Sequence, residues 1–187
     1  MISVAPLAIS GAVGRAFLKG ARFVMPLKRM KGQRRSHHVG DVFALRLEDS
    51  AYRFGRIVKI GESGPRGRFP GGILAYLYDI PADAPEPDPG VLTPDRLLMP
   101  PFFTMNWAWN KGYFRTVAHE DLNPTHLLKR HCFYDASIDG YVDENDAVLP
   151  RRADPCGWFA LTNFEHFQHE VDEAIAGRPL YGAIPKK

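Results

Sequence analysis

Seven histidines, two cysteines and two dense runs of carboxylates are the side chains with which this chain could do chemistry. His166 and His169 stand three apart between Glu165 and Glu170, a spacing that puts them on one helix face. Their order, H-x-x-H-E, matches neither H-E-x-x-H nor H-x-x-E-H of the zinc-dependent hydrolases. His119, His126, His131 and Cys132 lack the paired spacing of a structural zinc site. A nucleophile built from Cys132 and His131 fails as well, because strand neighbours face opposite ways. No third group to orient a base can be named beside them. These residues predict a protein with no metal, no cofactor and no catalytic set, and hence not an enzyme.

The acids say more. Asp79, Asp83, Glu86, Asp88 and Asp95 are interleaved with Pro81, Pro85, Pro87, Pro89 and Pro94, with no Lys or Arg among them. Proline removes a backbone donor, so this run is a loop and not a central strand. Loops of that length are usually functional or disordered. A second cation-free run holds Asp135, Asp139, Asp143, Glu144 and Asp146 before Arg151; it does not carry the ligand spacing of an EF-hand. Negative loops steer a positively charged protein, raising its on-rate and favouring the right partner. The candidate partner-binding residues are therefore Asp83, Glu86, Asp88, Asp143, Glu144 and Asp146.

The opposite charge gathers at the start. The first 40 residues hold eight Lys or Arg and no acid, which leaves about −5 on the remainder of a chain whose net charge is +3. We divide the chain into a basic arm, residues 1–38, expected to be flexible or partly helical, and one domain, residues 39–187. The arm lacks the layout of a signal peptide. Arg15 interrupts its apolar run well short of the ~20 residues that span a membrane. An alternative reading joins this arm to Arg66 and Arg68 of the glycine-rich stretch 61–72 as a nucleic-acid-binding module. That stretch has no Gly-Lys-Ser/Thr and is not a P-loop. Two cysteines, Cys132 and Cys156, suit a reducing compartment, and a bridge between them stays open.

The elements that must position these groups begin with a hairpin over residues 39–60. Phe43, Leu45 and Leu47 point one way and Arg46 and Glu48 the other, the alternation of a half-buried strand. Gly55 sits in the middle of the second strand, where glycine marks a bulge or a close backbone approach. Further strands are predicted at Ile73 to Ile80, at Leu97 to Phe103 with a break at Pro100-Pro101, and at Tyr113 to His119. A short helix is expected over Asp121 to Arg130, with Asn123 as cap and Pro124 at its first position. The clearest helix runs from about Asn163 to Ala176. Phe164, Phe167, Val171, Ala174 and Ile175 form its apolar stripe, Thr162 and Glu165 a capping box, and Gly177 its stop. The fold class is α+β: mainly antiparallel sheet, barrel-like, with this C-terminal amphipathic helix packed on it.

Gly40-Asp41-Val42-Phe43-Ala44, Leu47 and Tyr52-Arg53-Phe54-Gly55-Arg56-Ile57-Val58 resemble the opening hairpin of the immunity protein 26 family. Trp109-Asn110-Lys111-Gly112-Tyr113-Phe114 is similar to its later aromatic–glycine strand. The signature positions are Gly40, Asp41, Phe43, Tyr52, Phe54, Gly55, Trp109, Gly112, Tyr113 and Phe114. The chain departs from the family in its first turn, which is Asp49-Ser50-Ala51 where glycine is usual. The resemblance implies a cytoplasmic protein that protects bacteria from polymorphic toxins by binding a cognate protein toxin. It implies no small-molecule substrate and no membrane span.

Overall fold

A computed structural model describes residues 27–49, 51–61, 69–178 and 180. Two sheets and two helices account for the architecture. The larger, six-stranded sheet contains β1 (Leu27–Lys28), β2 (Asp41–Leu47), β3 (Tyr52–Gly61), β4 (Gly72–Leu77), β5 (Phe102–Thr104) and β6 (Phe114–His119). Their order is β1-β2-β3-β4-β5, with β6 paired to β2 beside β1, all antiparallel. The sheet curls part-way toward a barrel. The smaller sheet, in the order β10-β7-β8-β9, comprises β7 (Cys132–Asp135), β8 (Gly140–Val142), β9 (Val148–Leu149) and β10 (Cys156–Trp158). Its β10–β7 pair is parallel and the rest antiparallel. A single turn of helix, α1 (Trp107–Asn110), precedes β6, and α2 (Phe164–Ile175) follows the small sheet. The result is the expected α+β fold, mostly antiparallel sheet with a C-terminal helix.

Alternation along β2 distributes its side chains between two cores. Phe43, Leu45 and Leu47 enter one with Trp109, Phe114, Phe167 and Val171; Val42 and Ala44 enter the other with Phe54, Phe103, Phe133 and Val142. The main sheet is therefore covered on both faces, by α1 and α2 on one side and by the small sheet on the other. The half-buried strand anticipated for β2 is buried through Val42–Leu45, and only at Arg46 and Glu48 does the chain turn toward water. Sequence alternation sorts residues between faces; it does not tell whether the polar-looking face receives a second layer.

Helix α2 matches its predicted stripe. Phe167 packs on Phe102 and Phe114 with ring centroids 5.0 and 5.1 Å away, and Phe164 stacks on Tyr113 at 4.2 Å. Burying Phe167 stabilises the fold by roughly 1.5–3 kcal/mol. The cap lies one residue later than expected: Asn163 accepts the His166 N–H at 2.9 Å. Thr162 is instead held by its own N–H, which donates to Phe103 O at 2.8 Å. The helix anticipated after Asp121 reduces to a 3-10 turn, Pro124–His126, still capped by Asn123.

Residues 27–38, assigned to the arm from sequence, run over the domain. Leu27 and Lys28 pair with Leu47 and Arg46. Met30 N–H donates to Gly112 O at 2.7 Å and Gln33 N–H to Trp109 O at 2.9 Å. Residues 1–26 of the arm, and Arg66 and Arg68 of the glycine-rich stretch, lie outside the described residues. Among the described residues no helix is long and apolar enough to cross a membrane.

Candidate partner-binding site

The proline-rich acidic stretch leaves β4 and returns toward β5, and the sheet holds it at three places. At its start, Tyr52 and Ala82 exchange backbone hydrogen bonds of 2.7 and 3.1 Å. At its end, Asp79 N–H reaches Arg96 O and Leu98 N–H reaches Leu77 O, both at 2.8 Å. Between them, Arg56 Nη2 donates to Pro89 O at 3.3 Å. Two 3-10 turns, Pro89–Val91 and Pro94–Arg96, stiffen the excursion; Asp88 caps the first by accepting Gly90 N–H at 3.1 Å. Asp83, Glu86 and Asp88 project from this pinned loop and are exposed. Among the described residues neither Asp83 nor Glu86 meets a cation at ion-pair distance. Glu86, Pro85 and Pro87 form one wall of an open groove of about 590 Å³ whose other wall includes Tyr52, Arg115 and Val117.

The second acidic run is placed differently. Asp143 Oδ1 accepts the N–H groups of Asn145 and Ala147 at 2.8 and 2.9 Å, holding the β8–β9 turn. Asp146 is 3 % exposed, with a left-handed φ of 62°. Glu144 Oε2 lies 3.0 Å from His131 Nδ1, and Lys59 Nζ donates to Glu144 O at 3.2 Å and to Asn145 Oδ1. An ionised carboxylate only accepts, so His131 Nδ1 is the donor in that pair, and its Nε2 lies 2.5 Å from the Tyr76 hydroxyl. The hydrogen bond from His131 holds the Glu144 carboxyl below its ordinary range. Burial pushes Tyr76 up to about 12, so it keeps its proton. The chain Tyr76–His131–Glu144 ties β4 to the small sheet. The structure thus leaves three predicted contact residues facing water and turns the carboxylates of the other three toward the fold.

The signature residues of the hairpin and the aromatic strand converge. Phe43 stacks on Phe114 at 4.6 Å and meets Trp109 edge-on at 5.2 Å. Gly55 lies under this cluster, where an added Cβ would strike the Phe43 ring and approach Tyr76 O to 2.5 Å; no other residue fits that crossing. Gly112, at φ +81°, turns the chain against Met30 O. Phe54 fills the opposite core, Tyr113 receives α2, and Tyr52 anchors the acidic loop. Asp41, buried behind Gly40, accepts from His38 N–H at 3.1 Å and meets Arg35 at 3.3 Å and His119 Nδ1 at 3.0 Å.

Three more histidines also bond locally. His166 and His169 form i,i+4 pairs with Glu170 and Glu173, at 3.6 and 3.9 Å. His126 closes the cap of its 3-10 turn. Among the described residues no three His, Cys, Asp or Glu side chains are grouped to hold a metal ion. One polar group escaped the sequence reading. Arg56 is fully buried on β3 and donates to Glu120 Oε2 at 2.7 Å. Its only signal was a basic residue between Gly55 and Ile57 on a buried strand.

These observations define a class: an α+β domain on a curled antiparallel sheet, with polar links between its layers and an acidic loop pinned to the sheet that leaves Asp83, Glu86 and Asp88 facing water. Within that class the chain belongs to the immunity protein 26 family, whose family model matches residues 38–141, more than half of its length. Membership makes it an immunity protein of a toxin system. No curated protein and no solved structure matches it.

Proposed function

We propose that this chain neutralises a cognate protein toxin by non-covalent association, without catalysis, and that the loop bearing Asp83, Glu86 and Asp88 is its contact surface. The observation that carries this is the pinning of that loop. Its proline content and three anchor points remove most of the conformational freedom that binding would otherwise cost. Among the described residues Asp83, Glu86 and Asp88 meet no cation at ion-pair distance, so they are available to a basic face. The adjoining groove offers room for a side chain of the partner between Tyr52 and Pro87. A toxin that acts on nucleic acid presents a cationic cleft, and this loop is the right sign to fill one.

The test is the triple reversal Asp83→Lys, Glu86→Lys, Asp88→Lys, with association to a purified cognate toxin domain followed by stopped flow. The on-rate is expected to fall at least about tenfold at low salt, with a flatter salt dependence and an unchanged Tm. Reversing Asp143 and Glu144 is expected to lower Tm instead, because both serve the fold. Wild-type association kinetics in the triple variant would place the contact surface elsewhere.

A further inference from the structure

We propose that Cys132 and Cys156 form a peroxide-sensitive dithiol that closes into an intrachain disulfide across the β7–β10 strand pair. Parallel register puts the two residues directly opposite each other. Neighbouring strands lie about 4.8 Å apart, inside the Cα separation of about 4.4–6.8 Å that a disulfide spans. Both side chains point into the same small cluster, with Tyr141, Ala153 and Trp158 around them. Their sulfurs are 2.7 Å apart, within the contact distance of unbonded sulfurs. No backbone movement is needed to join them.

The surroundings assign the roles. Cys132 Sγ also accepts Ala153 N–H at 3.4 Å. The hydrogen bond with Cys156, aided by that N–H and by nearby Arg152, draws the Cys132 thiol below its ordinary pKa, and the same contact pushes Cys156 up. Cys132, which accepts a backbone N–H, is thus the attacking sulfur, and Cys156, whose thiol faces Gly157 O at 3.9 Å, the resolving one. At 0 % and 1 % exposure neither sulfur meets bulk solvent, so the oxidant has to be small, such as hydrogen peroxide, and enters when the small sheet opens locally. Cys132 thiolate attacks one peroxide oxygen, the O–O bond breaks, and the departing hydroxide takes a proton to become water, leaving a sulfenic acid. Cys156 sulfur then attacks Cys132 sulfur. The S–O bond breaks and hydroxide leaves with the Cys156 proton as a second water. Two thiols and one peroxide become one disulfide and two waters.

The bond would fix the strand that leads into α2. Phe159 N–H continues the pairing onto Tyr134 O at 2.9 Å, and Thr162 N–H then reaches Phe103 O on the main sheet. Closing the loop between residues 24 apart in sequence restricts the unfolded chain. A rise in Tm on the order of 5–10 °C is expected.

The test treats the reduced, full-length chain with hydrogen peroxide, blocks remaining thiols with iodoacetamide in denaturant, and maps tryptic peptides without reductant. Arg151 and Arg152 lie between the cysteines, so trypsin separates them unless they are bonded. The expected result is a linked pair containing Cys132 and Cys156, with no alkylated cysteine and a Tm raised in the wild type but not in the Cys132→Ser, Cys156→Ser double variant. Two alkylated cysteines after peroxide, a sulfinic or sulfonic Cys132 with Cys156 still free, or a link between two chains would each overturn the proposal.

Discussion

Arg56 and Glu120 share one ion pair but unequal surroundings. The guanidinium is sealed from water while the Glu120 side chain keeps 36 % exposure. Among the described residues, Arg56 Nε and Nη1 reach no hydrogen-bond partner, so Glu120 supplies most of what stabilises the charge. Removing the carboxylate strands a buried cation; removing the cation leaves an acid that can turn to solvent. Glu120→Ala is therefore expected to cost about 2–3 kcal/mol in urea unfolding, and Arg56→Met less. His119 gives a pH signature of the other kind. Its hydrogen bond with Asp41 raises its pKa above 6.5, with Asp121 adding to the effect. A raised folded pKa means stabilisation that is complete below about 6.5 and lost as pH climbs through the raised value. The His119 imidazole should titrate above 6.5 by NMR. Stability should decline as pH rises past 6.5 in the wild type, with a shallower decline in His119→Gln.

At the scale of elements, the edge of β6 shows what residues 27–38 do. Gln33 presents its carboxamide to Thr116 as a strand would: Nε2 donates to Thr116 O at 3.2 Å and Oε1 accepts Thr116 N–H at 2.7 Å. An edge that would otherwise invite a foreign strand is thereby occupied. Deleting residues 1–38 removes Leu27 from the core together with this clasp. A loss of about 3 kcal/mol or more is expected, from one buried leucine and several hydrogen bonds. Gln33→Ala alone should cost about 1 kcal/mol. Chemical denaturation of the two proteins measures both. Any test of nucleic-acid binding by the basic arm should accordingly remove residues 1–26 and leave the clasp in place.

At the scale of the molecule, charge and topology combine. The small sheet covers one face of the main sheet, and the second acidic run is drawn into that junction by His131 and Lys59. The first run sits where the chain crosses between β4 and β5, with Leu92 in the second core and Asp83, Glu86 and Asp88 facing water. Two stretches with five carboxylates each and no Lys or Arg thus take different parts, one in holding layers together and one, we propose, in meeting a toxin. Reversing charges in each, as described above, should separate a stability effect from an association effect within one molecule.

Much of this was legible in the linear chain, because it depends on local periodicity and steric need. The hairpin over 39–60, the apolar stripe of α2 and the Asn123 cap with Pro124 after it each follow from residues a few positions apart, whereas the helix expected over Asp121 to Arg130 closes as a single 3-10 turn. So does the loop character of the proline run. The glycine and aromatic signature was likewise readable, since Gly55 tolerates no side chain where Phe43 crosses it. What only the folded chain decided concerns partners distant in sequence: Arg56 with Glu120, Tyr76 with His131 and Glu144, Gln33 with Thr116, Cys132 with Cys156. A carboxylate looks the same in sequence whether water or an imidazole will solvate it. Only the packing of one sheet on another determines which.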